Sequence, residues 1–292
     1  MREARTTADV SESFRWWFLP SWLGLDAPCV VLTWTWAISQ ATGTPLPIRP
    51  AVALFLVVWF IYLSDRLIDA ARCSDWTAAT GRLRFGRDSR PLFVASLCVC
   101  VAGICLVWGQ GLPWGVIERA AVVALGVCLH GVLFVVPVFL GKKLPGKEFS
   151  VGLFFALGAY GCLGLAPRSL PHFLAVALVV AFNCLVIAAR DADSDRANDP
   201  GGASHWWPTI NRDLVWPGLA CTLIAAAGSL VAAESVRETA FGFSLAAAFA
   251  LLTALHRVSR HYSGDAVRAL ADFALLTPLP IMSAAMWLPV ST

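Results

Sequence analysis

Charged residues are scarce in this chain, and that scarcity excludes an ordinary soluble domain. Only 14% of the 292 residues are Asp, Glu, Lys or Arg, whereas 58% are hydrophobic and the mean hydropathy is +0.69. A soluble chain is about half apolar and about a quarter charged. The net charge of +3 is too small to indicate binding to nucleic acid. The composition is therefore typical of a protein that lies in a lipid bilayer.

Several common functional signatures are also missing. The sequence has no Ser-His-Asp arrangement, no metalloprotease helix, no dinucleotide fingerprint, and no linker that would mark a second domain. Most of the nine cysteines lie in apolar runs, where Cys behaves as a small hydrophobic residue, and none has metal-finger spacing. The first 13 residues lack the apolar core of a cleavable signal peptide. We therefore predict a single membrane domain over residues 1–292.

The apolar residues fall in runs of about 20, the length at which a helix crosses a bilayer. They predict an all-α integral membrane bundle of about nine transmembrane helices around a central cavity. A motif, a loop and further spans recur in the same order in both parts of the chain, which suggests two similar halves at about 15–145 and 146–292. The predicted spans are roughly 21–42, 50–71, 91–110, 117–140, 149–166, 171–189, 214–233, 238–256 and 269–288.

The distribution of positive charge predicts the orientation. With a cytoplasmic N-terminus, nine spans place five segments inside, and these hold 17 of the 22 Lys and Arg residues. Cytoplasmic loops of membrane proteins carry such an excess. We expect an integral protein of the bacterial inner (cytoplasmic) membrane, with its N-terminus and both acidic motifs on the cytoplasmic side.

Two acidic motifs stand at the ends of apolar runs. Asp65 and Asp69 are four residues apart, as are Asp191 and Asp195, and the motif starts are 126 residues apart. Positions i and i+4 share one helix face, so each pair can aim two carboxylates at one point. Mg²⁺ is commonly held by a few carboxylates together with substrate phosphates. We predict that these four aspartates bind Mg²⁺ and a diphosphate, rather than cap helix ends in solvent.

Basic residues near the motifs are candidate ligands for a diphosphate. They are Arg66 and Arg72 beside the first pair, and Lys143 and Lys147 in the loop at 141–148. That loop resembles a phosphate-binding P-loop, but Glu148 stands where Ser or Thr is required. Arginine can grip phosphate bidentately. For Arg66, ion pairing with the neighbouring acids is the preferred alternative, and the lysines can be ordinary cytoplasmic charge.

Three features within the spans bear on the interior of the bundle, either on a cavity or on helix packing. Asn183 lies deep in the sixth span, where it is either a cavity residue or the donor of an interhelical hydrogen bond. Trp34 can present a ring face to a carbocation by cation–π attraction, although packing is the ordinary role of such a ring. Gly152 and Gly158 are expected to let neighbouring helices approach closely.

The segment Tyr62-Leu63-Ser64-Asp65-Arg66-Leu67-Ile68-Asp69, followed by Asp191-x-x-x-Asp195, resembles the UbiA superfamily of intramembrane prenyltransferases. The resemblance extends to the span count and to the lysine-bearing loop. It implies that the four motif aspartates bind Mg²⁺ and an isoprenyl diphosphate in a central cavity. The family usually has Asn four residues before the first Asp, and this chain has Ile61 there.

We therefore expect a Mg²⁺-dependent enzyme that ionises an isoprenyl diphosphate and transfers the prenyl group to a small lipophilic acceptor. A terpene cyclase that needs no acceptor is the alternative, because the first span has no Arg for a carboxylated acceptor. An ion-coupled transporter is a further alternative, because carboxylates within a membrane can also bind protons or cations.

Overall fold

The computed structural model describes residues 18–73, 76, 80–135, 145–164, 170–192, 202–231 and 233–287. These residues form helices and connecting turns, and there is no β-strand among them. Single helical turns occur at Leu19–Trp22, Ala203–Trp206 and Ile210–Asp213. The longer helices are α1 Asp26–Thr42, α2 Ile48–Arg72, α3 Gly81–Asp88, α4 Arg90–Gly109, α5 Trp114–His130, α6 Lys147–Leu163, α7 Leu170–Arg190, α8 Val215–Val231, α9 Val236–Val258, α10 Gly264–Ala274 and α11 Pro278–Met286.

Seven helical segments within these ranges are long and apolar enough to cross a membrane. They are Ile48–Ala71, Arg90–Gly109, Trp114–Leu133, Leu170–Arg190, Ile210–Val231, Val236–His261 and Gly264–Met286. Each corresponds to one of the predicted spans. The predicted spans at 21–42 and 149–166 correspond to α1 and α6, which have 17 residues each, at the short end of membrane-crossing helices. A total of nine stays a prediction.

The helices divide into inner and outer members. About two thirds of the most apolar stretch of α7 is buried, and α9 is similar, whereas the corresponding stretch of α5 buries nothing. The outer helices nevertheless consist mostly of Val, Leu, Ala and Cys. Their exposed surface is therefore suited to contact with lipid and not with water. The fold is that of an integral membrane protein.

Helix α1 packs against helices from both the N-terminal and the C-terminal parts of the chain. It packs against α2, and also against α6, α9, α10 and α11 from the C-terminal part of the chain. Its Trp34 is fully buried, and the ring packs edge-on against Phe241 of α9 with ring centroids 5.9 Å apart. The residue predicted to face a cavity is thus a core packing residue in this structure.

Helices α6 and α7 approach each other closely at Gly152. A Cβ atom at this position would lie 2.2 Å from the backbone oxygen of Ala177 on α7, which no side chain can accept. The prediction that Gly152 permits close helix packing is confirmed. The contact fixes α7 against α6 and thereby sets the position of the acidic motif that follows α7.

Candidate functional site

The first acidic motif occupies the last two turns of α2, and its residues point in different directions. Asp65 is exposed, and Asp69 is about one third exposed, with its Oδ2 3.7 Å from Nη2 of Arg82 on α3. Arg66 lies one position on from Asp65 and is only 3% exposed. The two aspartates therefore face away from the protein interior, whereas the arginine between them points into it.

The second motif begins where α7 ends, and its first residue is buried. The Asp191 side chain is 7% exposed, and its Oδ2 accepts a hydrogen bond from Nη2 of Arg268 on α10. Gly264, at the start of α10, approaches so closely that a Cβ there would lie 2.6 Å from Asp191 Oδ1. A larger residue at this position would have to displace the Asp191 carboxylate.

Asp265 connects the two regions. Its carboxylate accepts a hydrogen bond from the backbone N–H of Gly81, the first residue of α3. A carboxylate at a helix N-terminus accepts hydrogen bonds from backbone N–H groups that have no partner within the helix. Its negative charge also interacts favourably with the positive end of the helix dipole. Asp265 also lies within electrostatic range of Arg66, Asp191 and Arg268. The ends of α2 and α7 and the starts of α3 and α10 thus meet in one polar cluster.

Arg66 is the least satisfied member of this cluster. Its Nε and Nη1 atoms are buried and have no hydrogen-bond acceptor among the described residues. A guanidinium cannot lose its charge in a protein, and leaving its buried donors without acceptors is costly. An anionic ligand with oxygen acceptors would remove that cost. The sequence favoured ion pairing of Arg66 with the neighbouring acids, with phosphate binding as the alternative. Among the described residues, no carboxylate is hydrogen-bonded to Nε or Nη1.

The other predicted site residues are spread over a wider region. Lys147 is the first residue of α6, and both it and Asp65 lie within electrostatic range of His130 on α5. His130 Nδ1 is 2.7 Å from the Ser150 hydroxyl. Ile61 is half-buried on α2. Asp195, Lys143 and the side chain of Arg72 lie outside the described residues.

A second polar group lies deeper in the bundle and was not predicted as a site. The Asp272 carboxyl group on α10 is in hydrogen-bonding contact with that of Asp26, the first residue of α1. The Asn183 amide on α7 donates to Asp272 Oδ1 over 2.9 Å. Tyr62 on α2 is within electrostatic range of both acids. The predicted interhelical hydrogen bond of Asn183 is thus confirmed, with an acidic partner.

A sequence signal for this group exists. Asp26 and Asp272 are single acids inside predicted spans, and such residues are functional candidates by default. Asp265, Arg268 and Asp272 follow one another at i, i+3 and i+7, which places them on one face of α10.

The donor chemistry suits a hard cation, but its geometry is not that of a ready-made metal site. Carboxylate oxygens are the ligands that Mg²⁺ prefers. Two of the three described motif aspartates, Asp69 and Asp191, lie close to arginines, and the described residues contain no cluster of three or more His, Cys, Asp or Glu side chains around one point. Binding of Mg²⁺ by these carboxylates requires that Arg82 and Arg268 take other partners.

Comparisons with known proteins add no assignment. The chain matches no family model, no curated protein and no solved structure. What the fold defines is an all-helical integral membrane protein with an arginine-rich and carboxylate-rich cluster at one end of its bundle.

Proposed function

We propose that the protein is a Mg²⁺-dependent intramembrane enzyme of the UbiA type, which ionises an isoprenyl diphosphate and transfers the prenyl group to a small lipophilic acceptor. The observation that carries this proposal is the buried guanidinium of Arg66. Two of its donors have no acceptor among the described residues, and it lies in the first acidic motif within electrostatic range of Asp265. A ligand that fits needs an anionic head with several oxygen acceptors and an apolar tail.

The two arginine–aspartate contacts support a partner exchange when such a ligand binds. Arg82 next to Asp69 and Arg268 on Asp191 keep the charges balanced while no ligand is bound. A Mg²⁺ ion and a diphosphate bring opposite charges that largely cancel. The arginines can then move to phosphate oxygens, where bidentate hydrogen bonds are strong, while the carboxylates turn to the cation.

The roles of the residues follow from this exchange. Bound Mg²⁺ supplies Lewis-acid stabilisation of the departing pyrophosphate. Asp65, Asp69 and Asp191 would hold it together with Asp195. Arg66, Arg82 and Arg268 neutralise the negative charge that develops on the leaving oxygen, and Lys147 can add positive charge at the edge of the cluster. The surrounding apolar helices keep water away from the allylic cation.

An internal space beside the cluster is part of this proposal, and three side chains support it. Tyr62, Cys184 and Asp272 come from three different helices, and each retains part of its accessible surface. The proposal places the prenyl chain in a space beside these residues. A prenyl chain that enters from the polar cluster would pass these residues.

Cyclisation of the prenyl chain without an acceptor is the second candidate. Helix α1 contains no Lys or Arg, so a carboxylated acceptor would find no counter-ion there. Both candidates share the ionisation step and the same cluster. They differ only in which group captures the cation.

Binding of a diphosphate tests the proposal at Arg66. We expect the purified protein to bind Mg²⁺-pyrophosphate and Mg²⁺-isoprenyl diphosphate in calorimetric titrations, and Arg66→Leu to weaken both by at least about tenfold. The estimate follows from hydrogen bonds to a charged group, each worth about 1.5–3 kcal/mol. Arg87→Leu is the matched control, because Arg87 is exposed and pairs with Asp88.

The same variant distinguishes a ligand site from a structural arginine. Loss of a buried side chain with two unsatisfied donors should leave the melting temperature unchanged or raise it. Absence of diphosphate binding in the wild type, or equal binding by Arg66→Leu, would contradict the proposal.

A further inference from the structure

We propose that Asp26 and Asp272 form a carboxyl–carboxylate pair that holds one proton and accepts the proton released in the reaction. The proposal rests on the proposed function for its role in turnover. The presence of the shared proton is a separate claim, and it can be tested without substrate.

The first argument is the contact between the two carboxyl groups. They come from α10 and α1 and lie in hydrogen-bonding contact between helices of an apolar bundle, and both residues are partly exposed. Two ionised carboxylates in contact repel each other, so such a pair retains one proton. Carboxylate dyads behave in this way in enzymes that use them as acid and base.

The second argument comes from acceptors that lack donors. Asn183 is 5% exposed, its Nδ2 donates to Asp272, and its Oδ1 has no donor among the described residues. Asp26 Oδ2 is also buried and without a donor there, whereas Asp26 Oδ1 accepts from the N–H of Ala27. Buried acceptors without donors are rare. A proton held between the two carboxyl groups supplies a donor to Asp26 Oδ2.

The charged and titratable groups around the pair leave this assignment intact. Arg268 is hydrogen-bonded to Asp191 and lies within electrostatic range of Asp272. The nearest neighbours with electrostatic influence on the pair or on its contacts are Cys29 on α1, Tyr62 and Arg66 on α2, Cys184 on α7 and Arg268 on α10.

The position of the pair suits a proton acceptor. Asp272 is seven residues beyond Asp265 on α10, and Asn183 is eight residues before Asp191 on α7, so both lie about 10–12 Å along their helices from the diphosphate end. The allylic part of a bound isoprenyl diphosphate begins next to the diphosphate. The pair is thus placed near the carbon atoms that carry positive charge.

Both versions of the reaction need such a group. The C–O bond of the diphosphate ester breaks, and its electron pair leaves with pyrophosphate. In a transfer, the acceptor's electrons form the new bond to the cation, and the acceptor then loses a proton. In a cyclisation, a C–H electron pair becomes a double bond. In either case the free carboxylate oxygen of the pair takes up the proton and later returns it to water.

Infrared spectroscopy tests the shared proton directly. We expect the wild type at neutral pH to show the C=O stretching band of a buried carboxylic acid, shifted by ¹³C-aspartate labelling. The band should disappear in the double variant Asp26→Asn/Asp272→Asn. It should persist in Asp88→Asn, which removes an exposed carboxylate paired with Arg87. An unchanged band in the double variant, or no band in the wild type, would overturn the proposal.

Kinetics then test the role. Asp272→Asn should bind Mg²⁺-isoprenyl diphosphate with wild-type affinity but form product at least about 100-fold more slowly, the usual contribution of a general base. Wild-type product formation in this variant refutes the proton-acceptor role while the proposed function stands. No diphosphate binding by the wild type refutes the proposed function, and the infrared result still decides the shared proton. If Asp272→Asn does not fold, Asp26→Asn provides the same comparison.

Discussion

The contact between Asp191 and Arg268 gives the sharpest prediction about stability. These residues are 77 positions apart and join the end of α7 to α10, with side chains that are 7% and 16% exposed. In Arg268→Gln the Asp191 carboxylate stays buried without a guanidinium. Removal of one partner from a buried ion pair costs about 3–5 kcal/mol. We expect the lower end of this range, because Arg268 keeps some contact with solvent.

Thermal unfolding in detergent micelles measures this cost. At about 2–4 °C per kcal/mol for a large chain, Arg268→Gln should melt at least about 6 °C below the wild type. Arg212→Gln is the control: its contact with Asp213 is exposed, and exposed pairs contribute about 1 kcal/mol or less. The double variant Asp191→Asn/Arg268→Gln should recover part of the loss because it leaves no buried charge. A single variant that melts within about 2 °C of the wild type would refute this account.

Three further predictions follow from the motifs and the helix arrangement. Asp65→Ala should abolish turnover without changing the melting temperature, because Asp65 is exposed. EDTA should abolish the turnover of the wild type reversibly. An active Asp65→Ala variant would contradict the metal role. In a background without native cysteines, Arg84→Cys should be shielded from an impermeant thiol reagent in intact cells, whereas Gln110→Cys should be labelled. The reverse pattern would show that the orientation in the membrane is opposite to the predicted one. Ile61→Asn should tighten the Mg²⁺ or diphosphate dependence about tenfold if a charge-assisted hydrogen bond of about 1.5–3 kcal/mol forms; unchanged dependence and products would show that position 61 does not face the site.

The helical fold was predictable because it depends on local composition. Every apolar run of about 20 residues corresponds to a described helix or helical pair, since a bilayer leaves few alternatives to helices. The packing of α1 against α6, α9 and α11 was not predictable, because it depends on contacts between distant segments. The burial of Trp34 against Phe241 is a consequence of that packing.

The candidate site was predictable only in part. The spacing of Asp65, Asp69 and Asp191 marked them as functional residues, and the structure places them at one polar end of the bundle. Their arginine partners were not predictable, because Arg82 and Arg268 come from other helices.

The deeper pair was missed for a different reason. Asp26 and Asp272 each stand alone in an apolar segment, so an average over the segment conceals them. Only the fold of α1 against α10 brings the two carboxyl groups together. A single acid in a predicted span therefore merits the same attention as a paired motif.

Release of pyrophosphate tests the central claim most directly. The purified protein would be reconstituted in vesicles made from the lipid extract of its producing cells, with Mg²⁺ present. Isoprenyl diphosphates of increasing chain length would then be added, and the release of pyrophosphate and of prenylated or cyclic products would be measured. We predict Mg²⁺-dependent release that Asp65→Ala abolishes. A folded wild-type protein that releases no pyrophosphate from any of these substrates, with the extract or without it, would contradict the assignment as an enzyme of isoprenyl diphosphates.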